Sequence, residues 1–261
     1  MLTLIAESKT MAPCNGVVRH EDYIAHRPEL ESVADEVMES LRTMTAEELA
    51  DEIKFSMPMA GRLLRMVYDF PHKSAGSPAI EAFTGVVFKA FDYASLDGPE
   101  RGRACGSIRI ISSLYGWLRP DDIVKPYRFD FSTPLAPEGR TFMAYWRDKV
   151  TECLVRTLRS AGEDNVLNLL PGDAARCINW KLVEPYAKVW KADFREIRPG
   201  GVCRTPNAGR LKTLRGQLLR QIVSEGVESP EALMELSSDA YFCEGRDPDS
   251  PGSILFTVAS I

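Results

Sequence analysis

The sequence predicts a mixed α/β (α+β) fold in one compact domain that covers residues 1–261. Short apolar strands are expected at both ends of the chain, from Leu2 to Ala6 and from Ser253 to Ala259, in or beside one sheet. Long segments between them have helical periodicity, without a regular βαβ alternation. A chain of 261 residues, 44% hydrophobic and 26% charged, is large enough to bury a sizeable core.

Apolar spacing and capping residues predict the helices of the first two thirds of the chain. Apolar residues recur at helical spacing from Leu30 to Leu41. Thr45 and Glu48 form a capping box that starts the next helix. A long helix is expected over 141–160, with Thr141 as its cap and Gly162 as its terminator.

The remaining elements follow from proline, glycine and apolar runs. Short buried strands are expected over Val166–Leu170 and Val189–Phe194, and a last helix begins at Ser229-Pro230-Glu231. Clusters of proline and glycine predict loops at 71–78, 132–140 and 198–209. The helix after the third loop is expected to bury Leu211, Leu214, Leu218 and Ile222.

Charge is distributed unevenly. The net charge of −5 argues against a wholly basic nucleic-acid coat protein. Residues 29–52 carry nine acids and one base, whereas residues 195–220 carry seven bases and one acid. The second segment predicts an anion-attracting face, and the alternative is a solvated surface balanced by acids folded nearby.

Cysteine and histidine usage favours a cytoplasmic protein without a metal centre. The six cysteines form no CxxC pair and are expected to be reduced thiols. The three histidines are not spaced with cysteines as zinc ligands are, so no metal and no cofactor are expected. No apolar run approaches a membrane span, and no secretory signal is evident.

The segment from Leu114 to Arg128 carries the most information about function. Its fifteen positions include two tyrosines, two arginines, two prolines and a glycine. Gly116 permits a turn, and the two prolines keep their preceding residues out of helix. The pattern predicts an apolar run, a tight corner and a rigid loop that presents Arg119, Tyr127 and Arg128, although such loops are often purely structural.

This segment, SLYGWLRPDDIVKPYRFD, resembles the signature of the YaaA (DUF328) family of bacterial peroxide-stress proteins. Further matching pieces follow in the family's order and extend to about residue 258, so the resemblance covers nearly the whole chain. They are the opening strand with Lys9-Thr10, Ala82–Phe88, Tyr145-Trp146, Val166–Leu169, Lys212–Gly216 and Ala240–Phe242.

The resemblance implies the family's single-domain "cantaloupe" fold and a role in limiting unincorporated iron, and thus Fenton damage to DNA, during peroxide stress. We expect a cytoplasmic, non-catalytic protein, with a monomer favoured, that binds duplex or distorted DNA through phosphates in a basic cleft. The nucleic-acid contacts expected are Lys9, Thr10, Tyr115, Arg119, Tyr127, Arg128, Lys212, Arg215 and Arg220.

Two other functions stay open at this stage. The first is an enzyme acting on a small phosphorylated or nucleobase-type substrate in a pocket that includes Lys9, Thr10, Tyr115, Arg119, Asn168, Asp173 and Lys212. A deep pocket would favour it, whereas an open groove would favour DNA. The second is a protein-interaction module that uses the acidic residues 29–52.

The chain departs from the family pattern at two places. Glu7 replaces a usual proline, and an acid there would oppose an incoming anion. After Asn168 the family's serine and tyrosine are replaced by Pro171 and Ala174. Any reaction that needs those hydroxyls should be impaired, whereas little is lost if Asp173 and Arg176, the other candidate pocket residues, simply form an ion pair.

Overall fold

A nine-stranded sheet organises the chain in the computed structural model, which describes residues 1–13, 26–70, 76–197 and 202–258. Two further short strands, β2 and β5, form a separate antiparallel pair. The described strands are β1 (Leu2–Ala6), β2 (Ser77–Pro78), β3 (Ile108–Ser112), β4 (Gly116–Leu118), β5 (Ile123–Val124), β6 (Asn165–Asn168), β7 (Lys188–Ile197), β8 (Cys203–Arg204), β9 (Ser237–Ser238), β10 (Tyr241–Arg246) and β11 (Ser253–Val258).

The centre of this sheet is parallel. Strand β1 pairs in parallel with β3 on one side and β6 on the other, and β6, β7 and β11 continue in the same direction. Among these five strands the spatial order is 2-1-3-4-5 by chain order, so the order reverses between β1 and β6. Antiparallel strands lie at both edges, with β4 beside β3 and the pair β10 and β9 beside β11.

Helices fill the connections between strands. The described helices are α1 (Glu31–Leu41), α2 (Ala46–Ile53), α3 (Met57–Asp69), α4 (Ala79–Ala82), α5 (Val86–Phe91), α6 (Gly98–Ser107), α7 (Phe142–Ala161), α8 (Gly172–Ala175), α9 (Trp180–Val183), α10 (Ala208–Glu225) and α11 (Pro230–Met234). Short 3₁₀ turns lie at Tyr93–Ser95 and Pro137–Gly139. Within the described ranges, none of the helices has both the length and the apolar composition that a bilayer span requires.

The structure confirms the mixed α/β fold and the strongest local predictions. Thr45 and Glu48 make both hydrogen bonds of the capping box, and Gly162 ends α7 with a left-handed φ of 65°. Gly116 also has a positive φ, of 69°, and a Cβ there would lie 2.7 Å from the Trp146 ring. Both glycines therefore occupy positions that a side chain would strain.

Several expected boundaries shift. Strand β6 ends at Asn168 instead of residue 170, and β7 extends over ten residues. The expected loop at 198–209 contains β8, and α10 begins at Ala208; residues 198–201 lie outside the described ranges. The loop expected at 71–78 contains β2, and its residues 71–75 also lie outside the description. Strands β3 and β10, whose apolar residues show no clear alternation, were not predicted.

Helix α10 packs closely on α5 through a glycine. A Cβ at Gly216 would lie 2.3 Å from the Val87 carbonyl oxygen and 2.7 Å from the Ala90 Cβ. The Arg220 guanidinium fixes the same interface by donating to the Asp92 carbonyl and the Ser95 hydroxyl, at 2.9 and 2.7 Å. Gly216 thus sets the distance between two helices, one of which carries Lys212.

Replacing Gly216 by alanine should lower the free energy of unfolding by about 1–3 kcal/mol, because the added methyl group has no space between α10 and α5. Chemical denaturation of the variant measures this. The matched control is Gly102→Ala in α6, where nothing lies within 4 Å of the new Cβ. That change should stabilise the protein by about 0.5–1 kcal/mol, since alanine is the better helix former. A neutral Gly216→Ala would contradict the close packing.

Candidate functional site

A cavity of about 340 Å³ lies at the carboxyl ends of the central strands. Residues that directly follow β1 and β6 line it, so it occupies the point where the strand order reverses. Parallel sheets commonly bind ligands in such a crevice, because adjacent loops diverge there. The lining residues are Ala6, Glu7, Ser8, Lys9, Thr10, Gly85, Val86, Val87, Phe88, Asp130, Phe131, Pro171, Asp173 and Lys212.

The loop after β1 is held against the start of α5. The Thr84 amide donates to the Thr10 carbonyl at 2.9 Å, and the Glu7 amide continues the sheet by donating to the Ile111 carbonyl. A Cβ on Gly85 would lie 2.6 Å from the Ser8 side chain. Because Gly85 has no side chain, the loop that carries Ser8 can pack against the start of α5. This contact fixes one wall of the cavity.

The Glu7 carboxylate is held in a polar seam between β1 and β3. Its Oε2 accepts hydrogen bonds from the Ser113 amide, at 2.9 Å, and from the Tyr127 hydroxyl. The Ser112 hydroxyl lies 2.7 Å from the Tyr127 oxygen and accepts from the Tyr115 amide. With its single hydrogen, Ser112 is therefore placed to donate to Tyr127, while Tyr127 donates to Glu7.

This surrounding changes the acidity of both groups. Burial raises the pKa of Glu7 to about 7, against the opposing effect of the Ser113 and Tyr127 donors. Burial, together with the nearby Glu7 charge, raises the pKa of the Tyr127 hydroxyl well above its ordinary value. Glu7 thus titrates close to neutral pH, where a carboxyl group can either accept or donate a proton.

The cations at the cavity differ in how they are engaged. Lys9 forms an ion pair with Asp130, and the Arg128 guanidinium donates to the Lys9 carbonyl. Lys212 lines the cavity from α10, is exposed, and has no ion pair or hydrogen bond among the described residues. The expected proximity of Lys9, Thr10, Arg128 and Lys212 is therefore what the structure shows.

The basic segment 195–220 is partly neutralised by acids from the same sheet. Arg195 pairs with Asp193 and Asp247, while Arg204 and Arg210 both pair with Glu196. For these three arginines, the alternative prediction is therefore confirmed: nearby acids balance their charge. Arg198 lies outside the described residues.

Arg215 differs from those arginines. It is partly buried, burial lowers the pKa of its guanidinium, and no carboxylate of the described residues lies within ion-pair distance. It follows Lys212 by three positions, which places both on one side of α10. We call Arg128, Lys212 and Arg215 the cationic rim.

Four of the expected nucleic-acid contacts are engaged within the protein instead: Tyr115, Arg119, Tyr127 and Arg220. Tyr115 and Tyr127 are 2% and 4% exposed, so neither ring is available for stacking on a base. Arg220 serves the contact between α10 and the end of α5. The sequence left the positions of Tyr115 and Tyr127 open, because an aromatic ring beside an apolar strand more often packs in the core but can also face solvent.

Arg119 lies towards the opposite end of the sheet. Strand β4 is antiparallel to β3, so its chain end points to the amino ends of β1 and β3, away from Lys9. The Arg119 guanidinium binds both Asp121 carboxylate oxygens, at 2.9 and 3.2 Å, and its amide donates to Asp122. Burial raises the pKa of Asp122 to about 7. Arg119 therefore belongs to a separate internal polar cluster.

Of the candidate pocket residues after β6, only Asp173 lines the cavity. Asn168 is buried and accepts from the Leu170 amide, which closes its own turn. Arg176 is exposed, and no ion pair joins it to Asp173. Pro171 lines the cavity and Ala174 is fully buried, so a hydroxyl at either position would stand at or just behind the wall.

Glu7 is the residue whose role the sequence missed. An acid in this loop was expected to face an incoming anion, but its carboxylate turns towards Tyr127 and Ser113. The chain separation of 120 residues between Glu7 and Tyr127 left no local signal of the contact. Across the described ranges, no group of three or more His, Cys, Asp or Glu side chains is arranged to hold a metal ion.

Changing Glu7 to Gln should remove a pH dependence of stability. The folded protein retains the Glu7 proton up to a pKa of about 7, whereas the ordinary value is 4.5, so the wild type loses stability as pH rises through this window. The stability of Glu7→Gln relative to wild type should therefore increase by about 1–3 kcal/mol between these values. Denaturant unfolding at several pH values measures the difference.

The control for this experiment is Glu152→Gln on the exposed surface of α7. It removes one carboxylate without touching the seam, and its difference from wild type should stay constant over the same pH range. A Glu7→Gln difference that also stays constant would mean that the Glu7 pKa is not raised.

Sequence comparisons place the chain among known proteins. The family model described as "Peroxide stress protein YaaA" matches residues 1–246. A UPF0246 protein of Rhizorhabdus wittichii is 31% identical over 258 residues, which cover 95% of this chain and 96% of the relative. A UPF0246 protein of Parabacteroides distasonis is 29% identical over 245 residues, covering 92% and 93%. The chain therefore belongs to the YaaA family of peroxide stress proteins.

Proposed function

We propose that this protein acts in peroxide stress by binding DNA without sequence preference, and that this binding limits iron-dependent oxidative damage. In this proposal it is a cytoplasmic monomer on duplex or distorted DNA. Membership of a peroxide stress family supports the stress role. The cationic rim supports the DNA contact.

The observation that carries the proposal is the unpaired charge on α10. A partly buried guanidinium without a counter-ion is unfavourable, because desolvation is not offset by attraction. Among the described residues Arg215 is in this situation, and Lys212, which has no ion pair there either, lies one turn before it. A phosphate group placed against this side of α10 would supply the missing negative charge to both.

The contact would be made with phosphates alone. The buried Tyr115 and Tyr127 offer no stacking surface, and the cavity is far too small for a duplex. A duplex would therefore lie across the cavity mouth on the cationic rim. Phosphate contacts fix position but carry no sequence information.

Protection from iron follows from the same contacts. DNA concentrates cations along its backbone, and a protein that neutralises phosphates releases them. Ferrous ions are among the cations displaced, so hydroxyl radicals form less often beside the bound DNA. The net charge of −5 makes the binding depend on the local rim rather than on the whole protein.

Replacing Lys212 by alanine should weaken DNA binding and lower its salt dependence. Each lost phosphate contact reduces the slope of log affinity against log salt by about 0.9. Fluorescence anisotropy with a labelled duplex over a salt series measures both quantities, and the Lys212→Ala/Arg215→Ala pair should lose about two contacts.

The matched control is Lys181→Ala, an exposed lysine on α9 that does not line the cavity. It should leave the slope unchanged. Wild-type binding that is independent of salt, or an equal loss in the control, would contradict a phosphate contact at the rim.

A further inference from the structure

The cavity behind the rim has a size and lining of its own. Its volume of about 340 Å³ is at the lower end of small-molecule sites. Apolar side chains form much of the wall, mainly Val86, Val87, Phe88, Phe131 and Pro171. Polar groups reach it from four separate segments: the loop after β1, the loop that contains Asp130, α8 after β6, and α10.

The charged groups of the lining are mixed in sign. They comprise two lysines, Lys9 and Lys212, and three acids, Glu7, Asp130 and Asp173. Lys9 and Asp130 satisfy each other. The groups left for a ligand are two carboxyl groups, Glu7 and Asp173, and the Lys212 ammonium. A cationic group bound beside Glu7 would favour its charged form, so the cavity can attract a cation as well as an anion.

Glu7, Asp173 and Lys212 all line the cavity. The Glu7 Oε2 accepts hydrogen bonds from the Ser113 amide and the Tyr127 hydroxyl, and the Ser113 and Ser112 hydroxyls further stabilise the carboxylate form. Asp173 accepts the Ala174 amide with Oδ1, leaving Oδ2 available. Lys212 has no partner of its own in the described ranges. The carboxyl groups thus lie after β1 and on α8, and the ammonium group of Lys212 lies on α10.

We propose that this cavity binds a small zwitterion of amino-acid size, with its ammonium group at Glu7 and Asp173 and its carboxylate at Lys212. The apolar wall made by α5 and Phe131 accommodates the side chain of the ligand. This site is additional to the DNA contact, because it uses the interior of the cavity whereas DNA lies across the rim.

The charge balance distinguishes this ligand from a phosphorylated one. A phosphate monoester brings close to two negative charges, and inside the cavity it would lie beside the carboxyl groups of Glu7 and Asp173, with Lys212 as the facing cation of the lining. A zwitterion brings one charge of each sign, in the arrangement that the lining offers. The loop acid that departs from the family pattern, Glu7, therefore becomes the group that selects an amine.

The test is isothermal titration calorimetry of the full chain with the standard α-amino acids, each at up to about 10 mM. We expect at least one to bind, whereas acetate and methylamine, which each carry one of the two charged groups, do not bind at the same concentrations. Glu7→Gln and Asp173→Asn should each weaken the binding by about tenfold or more, consistent with the loss of one charge-assisted hydrogen bond.

Two results would overturn the proposal: no amino acid binds, or inorganic phosphate and adenosine monophosphate bind more tightly than any of them. Glu7→Gln separates this site from the DNA contact, since it should weaken amino-acid binding by about tenfold or more and leave the salt slope of DNA binding unchanged. Lys181→Ala again serves as the variant that changes neither. If DNA binding failed while an amino acid still bound, the proposed function would be wrong and the amino-acid site would be supported.

Discussion

The parallel pairing of β1 with both β3 and β6 is the constraint on which the rest of the structure depends. It brings the carboxyl ends of the three strands to one edge, so residues 7, 113 and 171 meet although they are far apart in the chain. The cavity is therefore complete only when the first strand is paired with β6, from the central part of the chain. Non-local pairing of this kind is costly in chain entropy, and the fully buried strands β1, β3 and β6 offset that cost by burying apolar side chains on both faces.

A polar seam inside that apolar frame is unfavourable unless every member is satisfied. Glu7, Tyr127 and Ser112 satisfy one another, the Ser113 amide adds a donor, and the Ser113 hydroxyl stabilises the same carboxylate from nearby. The Trp146 indole donates to the Ser113 carbonyl at 2.6 Å, so α7 is fixed to the same turn. The seam thus joins β1, β3, the loop at 127 and α7. These contacts hold the Glu7 carboxyl group in one orientation, which a selective binding site requires.

Local features were predictable from sequence, whereas long-range contacts were not. The capping box at Thr45, the terminator Gly162 and the strand Leu2–Ala6 depend on neighbouring residues, and all were found as expected. The direction of Arg119 depends on β4 being antiparallel, which nothing in its own segment specifies. Likewise, the partners of Arg195 and Arg210 are acids brought near by the sheet and by its extension into β8. The family resemblance pointed to the segments after β1 and β6, which line the cavity, but the pairing between strands determines which of their side chains face it.

The two proposed contacts use charge in opposite ways, and the fold keeps them apart. On the outside, Lys212 and Arg215 present charge that no acid of the described ranges pairs with, which suits a polyanion at the surface. Inside, Glu7 and Asp173 outnumber the one unpaired lysine, so the same polyanion is repelled from the interior. Lys212 lies at the boundary and belongs to both surfaces. A zwitterion whose carboxylate engages Lys212 would therefore remove one cation from the rim, so occupancy of the cavity and contact with DNA are expected to oppose each other through this single side chain.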